Sequence, residues 1–330
     1  MLDNPKISVI MSVYNGEKYL RKAIESVLSQ TFTGFDFIIV NDGSTDDSLR
    51  IIQSYHDERI RVINNEWNIG LTKSLNKAIK ESCAEYIARQ DADDISLPNR
   101  FDEQMQFFEK HPEVSLLGTS IYRIDSNGKM TGKMITLAKP TMKDLFKGNQ
   151  FNHGSVMVKR RVLDDVGGYN ELCKYAQDHD LWLRIAKHYE VRNLTKILYK
   201  LRSHNKNVRF TNGEEAVLYS ILAPKLTKES LEEEILEDIN EKGIRSLYQY
   251  LSKDEEIVVH KAKASLHTDN GNIKLAREEY KKIFSLTPFD LENDINIMRS
   301  YFGRDMMIKS SKLYEHITNL YKYLKNWYSK

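Results

Sequence analysis

The chain has 330 residues, of which 41% are hydrophobic and 29% charged, and a formal net charge of +2. This length exceeds one ordinary domain, the composition is that of a soluble globular protein, and the near-zero charge excludes general nucleic-acid affinity. Cys83 and Cys173 have neither metal-type spacing nor partners enough for a disulfide framework, which fits a reducing cytoplasm. Met1 to Pro5 is polar and no later apolar run approaches a bilayer span, so neither secretion nor insertion is expected and membrane contact is at most peripheral.

Lys6 to Tyr14, KISVIMSVY, reads as a strand buried on both faces. Asn15-Gly16 turns the chain, and Tyr19, Leu20, Ala23, Ile24, Val27 and Leu28 then recur at helical spacing. A second unit follows: strand Phe35 to Val40, the loop Asn41-Asp42-Gly43, and a helix carrying Leu49, Ile51 and Ile52, which Ser44 or Thr45 can cap. The third runs from Ile60 to Ile63 through Asn68-Ile69-Gly70 into a helix with Leu71, Leu75, Ala78 and Ile79. Three such repeats predict a parallel sheet.

Next comes YIARQDADDISLPNR, Tyr86 to Arg100, where a short strand ends in Asp91, Asp93 and Asp94. Carboxylates this close repel one another, so they need a cation or solvent to offset them, and the carboxyl end of a strand is where open α/β sheets bind ligands. An acidic turn before a helix capped by Ser96 is the plainer reading. Phe101 to Lys110 is predicted helical, Val114 to Ile124 a strand, and Ser126-Asn127-Gly128 a hairpin turn. Phe151 to Val158 reads as a strand bearing His153, Arg160 to Val166 as a helix stopped by Gly167-Gly168, Gln177 to His188 as an amphipathic helix, and Val191 to Leu201 as a strand leading into Arg202-Ser203-His204.

From Gly213 onward the pattern is helical, giving an expected division into residues 1–212 and an all-α part, 213–330. Gly271-Asn272, Ala276, Tyr280, Ile283 and Pro288 sit at offsets similar to half a tetratricopeptide repeat, or mark a generic helical hairpin. Leu313, Ile317, Leu320, Leu324 and Trp327 form an apolar stripe that packs internally, joins subunits into a homo-oligomer, or meets a membrane surface with Lys309, Lys312, Lys322 and Lys325.

Taken in order, ISVIMSVYN, VNDGSTD, NIGL, ARQDADDISLPNR and QDHDLW resemble the family 2 glycosyltransferases of GT-A fold over the first two-thirds of the chain. The resemblance implies an α/β, mainly parallel sheet and a metal-assisted, inverting transfer of a hexose or N-acetylhexosamine from a nucleotide-sugar, UDP-linked in this expectation. The acceptor is a hydroxyl of a glycan in a cell-surface polysaccharide, a glycoprotein or a lipid-linked unit, and the place of action is the cytoplasm, at the inner face of the membrane. Neither G-x-G-x-x-G nor G-x-x-x-x-G-K-[ST] follows the first strand. Two alternatives are kept: a non-catalytic nucleotide-sugar-binding scaffold, and a sugar-phosphate nucleotidyltransferase.

By the same resemblance Val13, Tyr14, Asn15, Asp42, Gly70 and Asp91 hold the nucleotide, with Asp42 accepting from the imide N–H of the base. Asp93 and His204 hold a divalent Mn or Mg, Asp94 supports them, and Asp178 is the general base. Gln177 stands where the family has glutamate, a departure that can lower the basicity of Asp178. Arg89 and Arg100 neutralise phosphate or pair with the aspartates. His153 approaches the acceptor or diphosphate, or is a packed strand residue. Asp180 is a donor or acceptor contact or a helix N-terminal charge, and Trp182 a sugar platform or core.

Overall fold

The computed structural model describes residues 5–204, 213–228, 231, 233–287 and 296. Strand β1 (Ile7–Val13) is buried along its whole length. Its side chains alternate between two cores, as period two requires: Ile7, Val9, Met11 and Val13 enter one, Ile10 the other. Helix α1 (Glu17–Leu28) covers the first core with Leu20, Ala23, Ile24 and Val27. Strand β2 (Phe35–Asp42), helix α2 (Ser48–Gln53), strand β3 (Ile60–Asn65), helix α3 (Leu71–Glu81) and strand β4 (Tyr86–Arg89) complete a parallel set in the order β3-β2-β1-β4. Parallel neighbours need crossover helices, which the three repeated units provide.

Beyond β4 come strand β5 (Ile95–Ser96), helix α4 (Arg100–Lys110), and strands β6 (Val114–Ile124) and β7 (Met130–Met134), which form the predicted hairpin. Helix α5 (Met142–Lys147), strand β8 (Met157–Lys159), helices α6 (Arg160–Val166) and α7 (Gln177–Ala186), and strand β9 (Glu190–Arg202) follow. The sheet continues β4-β8-β6-β9-β5, with β7 on β6. Laid flat, β5 would stand four strand spacings, about 19 Å, from β4. The link Gln90–Asp94 is turned on itself by the Asp94 N–H to Asp91 C=O bond, so it falls short of the roughly 20 Å it would reach extended. The sheet must therefore curl, bringing its last strand back beside its middle.

Three local expectations are corrected. Phe151–Val158 is not one strand: His153–Ser155 is a 3-10 turn, closed by the Ser155 N–H on the Asn152 carbonyl, and pairing begins only at Met157. Ser44 and Thr45 do not cap α2, because they bond instead to Asn15. Ser96 does not cap α4, since its hydroxyl donates to Gln90 Oε1 in the interior.

The chain divides into two compact units, Met1–His204 with Leu222–Ser230, and Asn205–Ile221 with Leu231–Lys330, so the helix Gly213–Thr227 contributes to both. The described part of the second unit is helical. It includes Glu233–Lys242, a 3-10 segment Ile244–Tyr250, and the helices Lys253–Asp269 and Ile273–Leu286. Ser252 and Glu255 form a capping box on Lys253–Asp269, and His260 Nδ1 meets Glu279 Oε2 of the following helix at 2.5 Å. The left-handed Gly271, at φ 77°, separates the two helices of this hairpin. Pro288 and the stripe from Leu313 to Trp327 lie outside the described residues.

Candidate active site

The carboxyl ends of β1, β2 and β3 are tied together before any ligand is considered. Asn15, itself left-handed at φ 52°, accepts the Thr45 N–H at 2.8 Å and donates its own N–H to Ser44 Oγ, joining the first two loops. Asp42 is 1% exposed. One carboxylate oxygen accepts from Asn65 Nδ2 and the Ile69 N–H, the other from the Gly70 N–H, all at 2.9 Å. Its first task is thus to tie the end of β2 to the loop ahead of α3. Gly43 lies against the Trp67 backbone, where a Cβ would sit 2.4 Å from a carbonyl carbon. Val13 is buried, while Tyr14 is 51% exposed at the rim of this surface.

The aspartates follow β4. Arg89, 2% exposed, forms an ion pair with Asp91 Oδ1 at 2.6 Å, which resolves its two readings in favour of the aspartate. The Asp91 N–H donates to Tyr199 Oη of β9. Asp93 Oδ2 meets His204 Nε2 at 2.8 Å. Asp94 is buried, accepts the Arg202 N–H at 2.7 Å, and is pushed well above the ordinary carboxylate range by burial and by the neighbouring Asp93 and Asp91 charges. Arg202 also donates through Nε to the Asp93 carbonyl and stacks on Tyr19, whose ring in turn stacks on His204 at 5.2 Å. Gly154 backs this corner so closely that a Cβ would fall 2.5 Å from Asp91 Oδ2.

Among the described residues no group of three or more His, Cys, Asp or Glu side chains is arranged to hold a metal by itself. A site shared with substrate needs fewer. Asp93 and His204 offer a hard oxygen and an imidazole nitrogen side by side, with the Asp93 side chain 30% exposed, and a divalent ion commonly takes one or two protein ligands plus phosphate and water. The donor set fits Mn or Mg.

Asp178 stands in the first turn of α7. Its Oδ2 accepts from Asn149 Nδ2 at 2.7 Å and its Oδ1 from the His179 N–H at 2.8 Å. Asn149 in turn accepts the Phe151 N–H, which orients its amide so that NH2 faces the carboxylate. His153 Nε2 meets Tyr169 Oη at 2.7 Å. Burial and the Arg89 charge hold its pKa below the ordinary value, against the pull of Asp178 and Asp91, so a neutral imidazole lies in the field of both carboxylates.

Three expected contacts belong to the interior instead. Arg100 is fully buried and donates to Ser96 Oγ, Gln104 Oε1 and the carbonyls of Arg89 and Val156, so it meets neither phosphate nor an aspartate. Asp180 is fully buried and paired with Arg184 at 2.8 Å. Trp182 is 1% exposed, against Phe151 and His153, which makes it core and not a platform. Asn149, Gly154 and Tyr199 carry no role in the sequence analysis, and Tyr19 figures there only on the apolar face of the first helix, whereas it stacks on His204 and Arg202. Only the adjacency of Arg202 to His204 offered a signal for any residue of this supporting layer.

A curled, mainly parallel sheet with helices on both faces and an acidic loop after its fourth strand defines the GT-A class of glycosyltransferase fold. The chain belongs to glycosyl transferase family 2, whose model matches residues 8–167. It is 38% identical over 208 residues to EpsE of Bacillus subtilis (strain 168), named as a glycosyltransferase, a match covering 61% of this chain and 74% of that protein. Its fold is similar to that of S. aureus TarS (residues 1–349) in complex with UDP-GlcNAc, at TM-score 0.56 and 18% identity over 90% of this chain and 91% of that one. It is also similar to the mannosyltransferase PcManGT from Pyrobaculum calidifontis in complex with GDP-Man and Mn2+, at TM-score 0.55 and 13% identity over 98% and 86% of the respective chains.

Proposed function

We propose that the chain is a metal-assisted, inverting hexosyl- or N-acetylhexosaminyltransferase that moves a sugar from a UDP-linked donor to a glycan hydroxyl, acting in the cytoplasm at the membrane face. The observation that carries this reading is the 2.8 Å meeting of Asp93 with His204, next to an Asp91 held by Arg89. Nucleotide-sugars bound to TarS and PcManGT support the donor class, and the Mn2+ bound to PcManGT supports the cation.

In this reading Tyr14, Asn15 and the loops anchored by Asp42 border the nucleoside, and Gly70 allows close backbone approach. Asp91 faces the ribose, and Asp93 and His204 hold the divalent ion. When bound, that ion offsets the negative charge that grows on the departing diphosphate. The acceptor oxygen attacks the anomeric carbon as the bond to the diphosphate oxygen breaks, so the configuration inverts, and Asp178 takes the hydroxyl proton. Asn149 keeps the Asp178 carboxylate pointed while leaving lone pairs for that proton. Gln177 is buried, 7% exposed, so its missing charge is withdrawn from the face that meets an acceptor.

The test is a hydrolysis and transfer screen of nucleotide-sugars on the full chain, with Mn present or chelated. One UDP-sugar should turn over, Asp93→Ala and chelation should each abolish turnover, and Asp178→Asn should lower it by about 10²–10⁴-fold. Metal-independent turnover, or an Asp178→Asn variant as fast as the parent, would sink the mechanism.

A further inference from the structure

The hairpin β6–β7 and the segment after it present an apolar, basic face. Met130, Ile135 and Leu137 are 58, 53 and 48% exposed. The period of an extended chain turns Lys133, Ile135 and Leu137 outward, and the bulge at Arg123/Ile124, across which Met130 pairs with Ile124 while Lys133 pairs with Tyr122, brings Met130 to the side of Lys133; Thr136 is buried against Ser120 and Met134 packs beneath the Arg123 guanidinium. Lys129, Lys133 and Lys139 are exposed along the same stretch, and none makes an ion pair among the described residues. The acid in the turn, Asp125, is engaged by the N–H groups of Asn127 and Lys129. The patch therefore combines uncovered apolar surface with a net positive charge, three lysines against the one Asp125 carboxylate, whose field reaches Lys129.

It also adjoins the acceptor side of the site. Asn193 Nδ2 donates to both the Leu137 carbonyl at 3.0 Å and the Gln150 carbonyl at 3.2 Å, and Asn149, next to Gln150, donates to Asp178. We propose that this face docks on an anionic lipid bilayer, apolar side chains entering the headgroup zone and lysines meeting lipid phosphates, so that a lipid-linked acceptor is delivered to Asp178. The delivery clause rests on the transferase reading; the docking clause does not. A second copy of the chain fits less well, because an isologous contact would set the lysines of one copy against those of the other.

The experiment is co-sedimentation of the full chain with vesicles of phosphatidylglycerol and phosphatidylcholine, against phosphatidylcholine alone. The parent should bind the anionic vesicles selectively. Met130→Ser/Ile135→Ser/Leu137→Ser and Lys129→Glu/Lys133→Glu/Lys139→Glu should each lower the bound-to-free ratio by roughly ten-fold or more. Circular dichroism should be unchanged in both variants, as should hydrolysis of the soluble donor. Asp178→Asn should bind vesicles like the parent. Equal binding to neutral vesicles, or binding that survives both triple variants, overturns the proposal. So does a dimer, seen by light scattering, that both variants dissociate while no vesicle is bound. Hairpin-dependent docking in a chain that turns over no donor would keep the surface and remove the transferase reading.

Discussion

At Gly154 the missing side chain is itself the functional feature. A methyl group there would lie 2.1 Å from Tyr199 Oη and 2.5 Å from Asp91 Oδ2, and both neighbours are already committed, Tyr199 to the Asp91 N–H and Asp91 to Arg89. Gly154→Ala is therefore expected to displace the aspartate loop, costing about 1–3 kcal/mol of stability and at least ten-fold in donor turnover. Thermal denaturation beside a hydrolysis assay checks both, and a variant with normal turnover would show that Asp91 tolerates movement. Three carboxylates in four residues announce a charge problem on their own, so these aspartates were legible. Arg100 was not, because nothing in ARQDADDISLPNR distinguishes an arginine that faces phosphate from one buried on Ser96, Gln104 and two carbonyls.

Helix α7 shows how an element aims a group. Ala176, just before it, is held left-handed at φ 55°, a conformation that costs a residue with a Cβ roughly 1–2 kcal/mol, and this sharp entry sets Asp178 on Asn149. Ala176→Gly should raise the melting temperature by about 2 °C by relieving the strain. The same change should slow transfer, because the entry to α7 is then less constrained. A stabilised variant with undiminished rate would separate the strain from the placement of Asp178. The strand-helix units were readable because hydrophobic period and turn residues agree from Lys6 to Ile79. The 3-10 turn at His153 was not, since the polar run Asn152–Ser155, which closes on its own backbone, leads straight into the β-prone Val156-Met157-Val158 and reads as the start of that strand. Ser44, Thr45 and Ser96 are good caps by type, but they were claimed by Asn15 and Gln90 from other segments, a choice that only tertiary structure makes.

At the scale of the molecule, His153 links the site to global stability. Burial, then Arg89, lower its pKa from 6.5, so the folded chain favours the neutral ring. The stability this contributes is present above the unfolded value of about 6.5 and is lost as pH falls from there toward the lower folded-state value, because the unfolded chain takes up the proton first. The melting temperature of the parent should thus fall more between about pH 7.5 and 5.5 than that of His153→Gln. Equal losses would show that the ring titrates as it does in the unfolded chain.

The curled sheet makes the acidic loop a clasp as well as a cradle. Gln90–Asp94 joins β4 in the middle of the sheet to β5 at its end, and Tyr199 and Arg202 of β9 hold it from the far side. Most surface loops absorb an inserted residue at little cost, because closure entropy grows slowly with length. This one sets the circumference of the roll, so a residue gained or lost would change how tightly the sheet closes and slide Asp93 past His204. The spacing of the aspartates is thereby tied to the tertiary curvature as firmly as to their chemistry, and new sugar or acceptor preferences are freer to arise in the exposed residues between β7 and α5, which lie outside that closure.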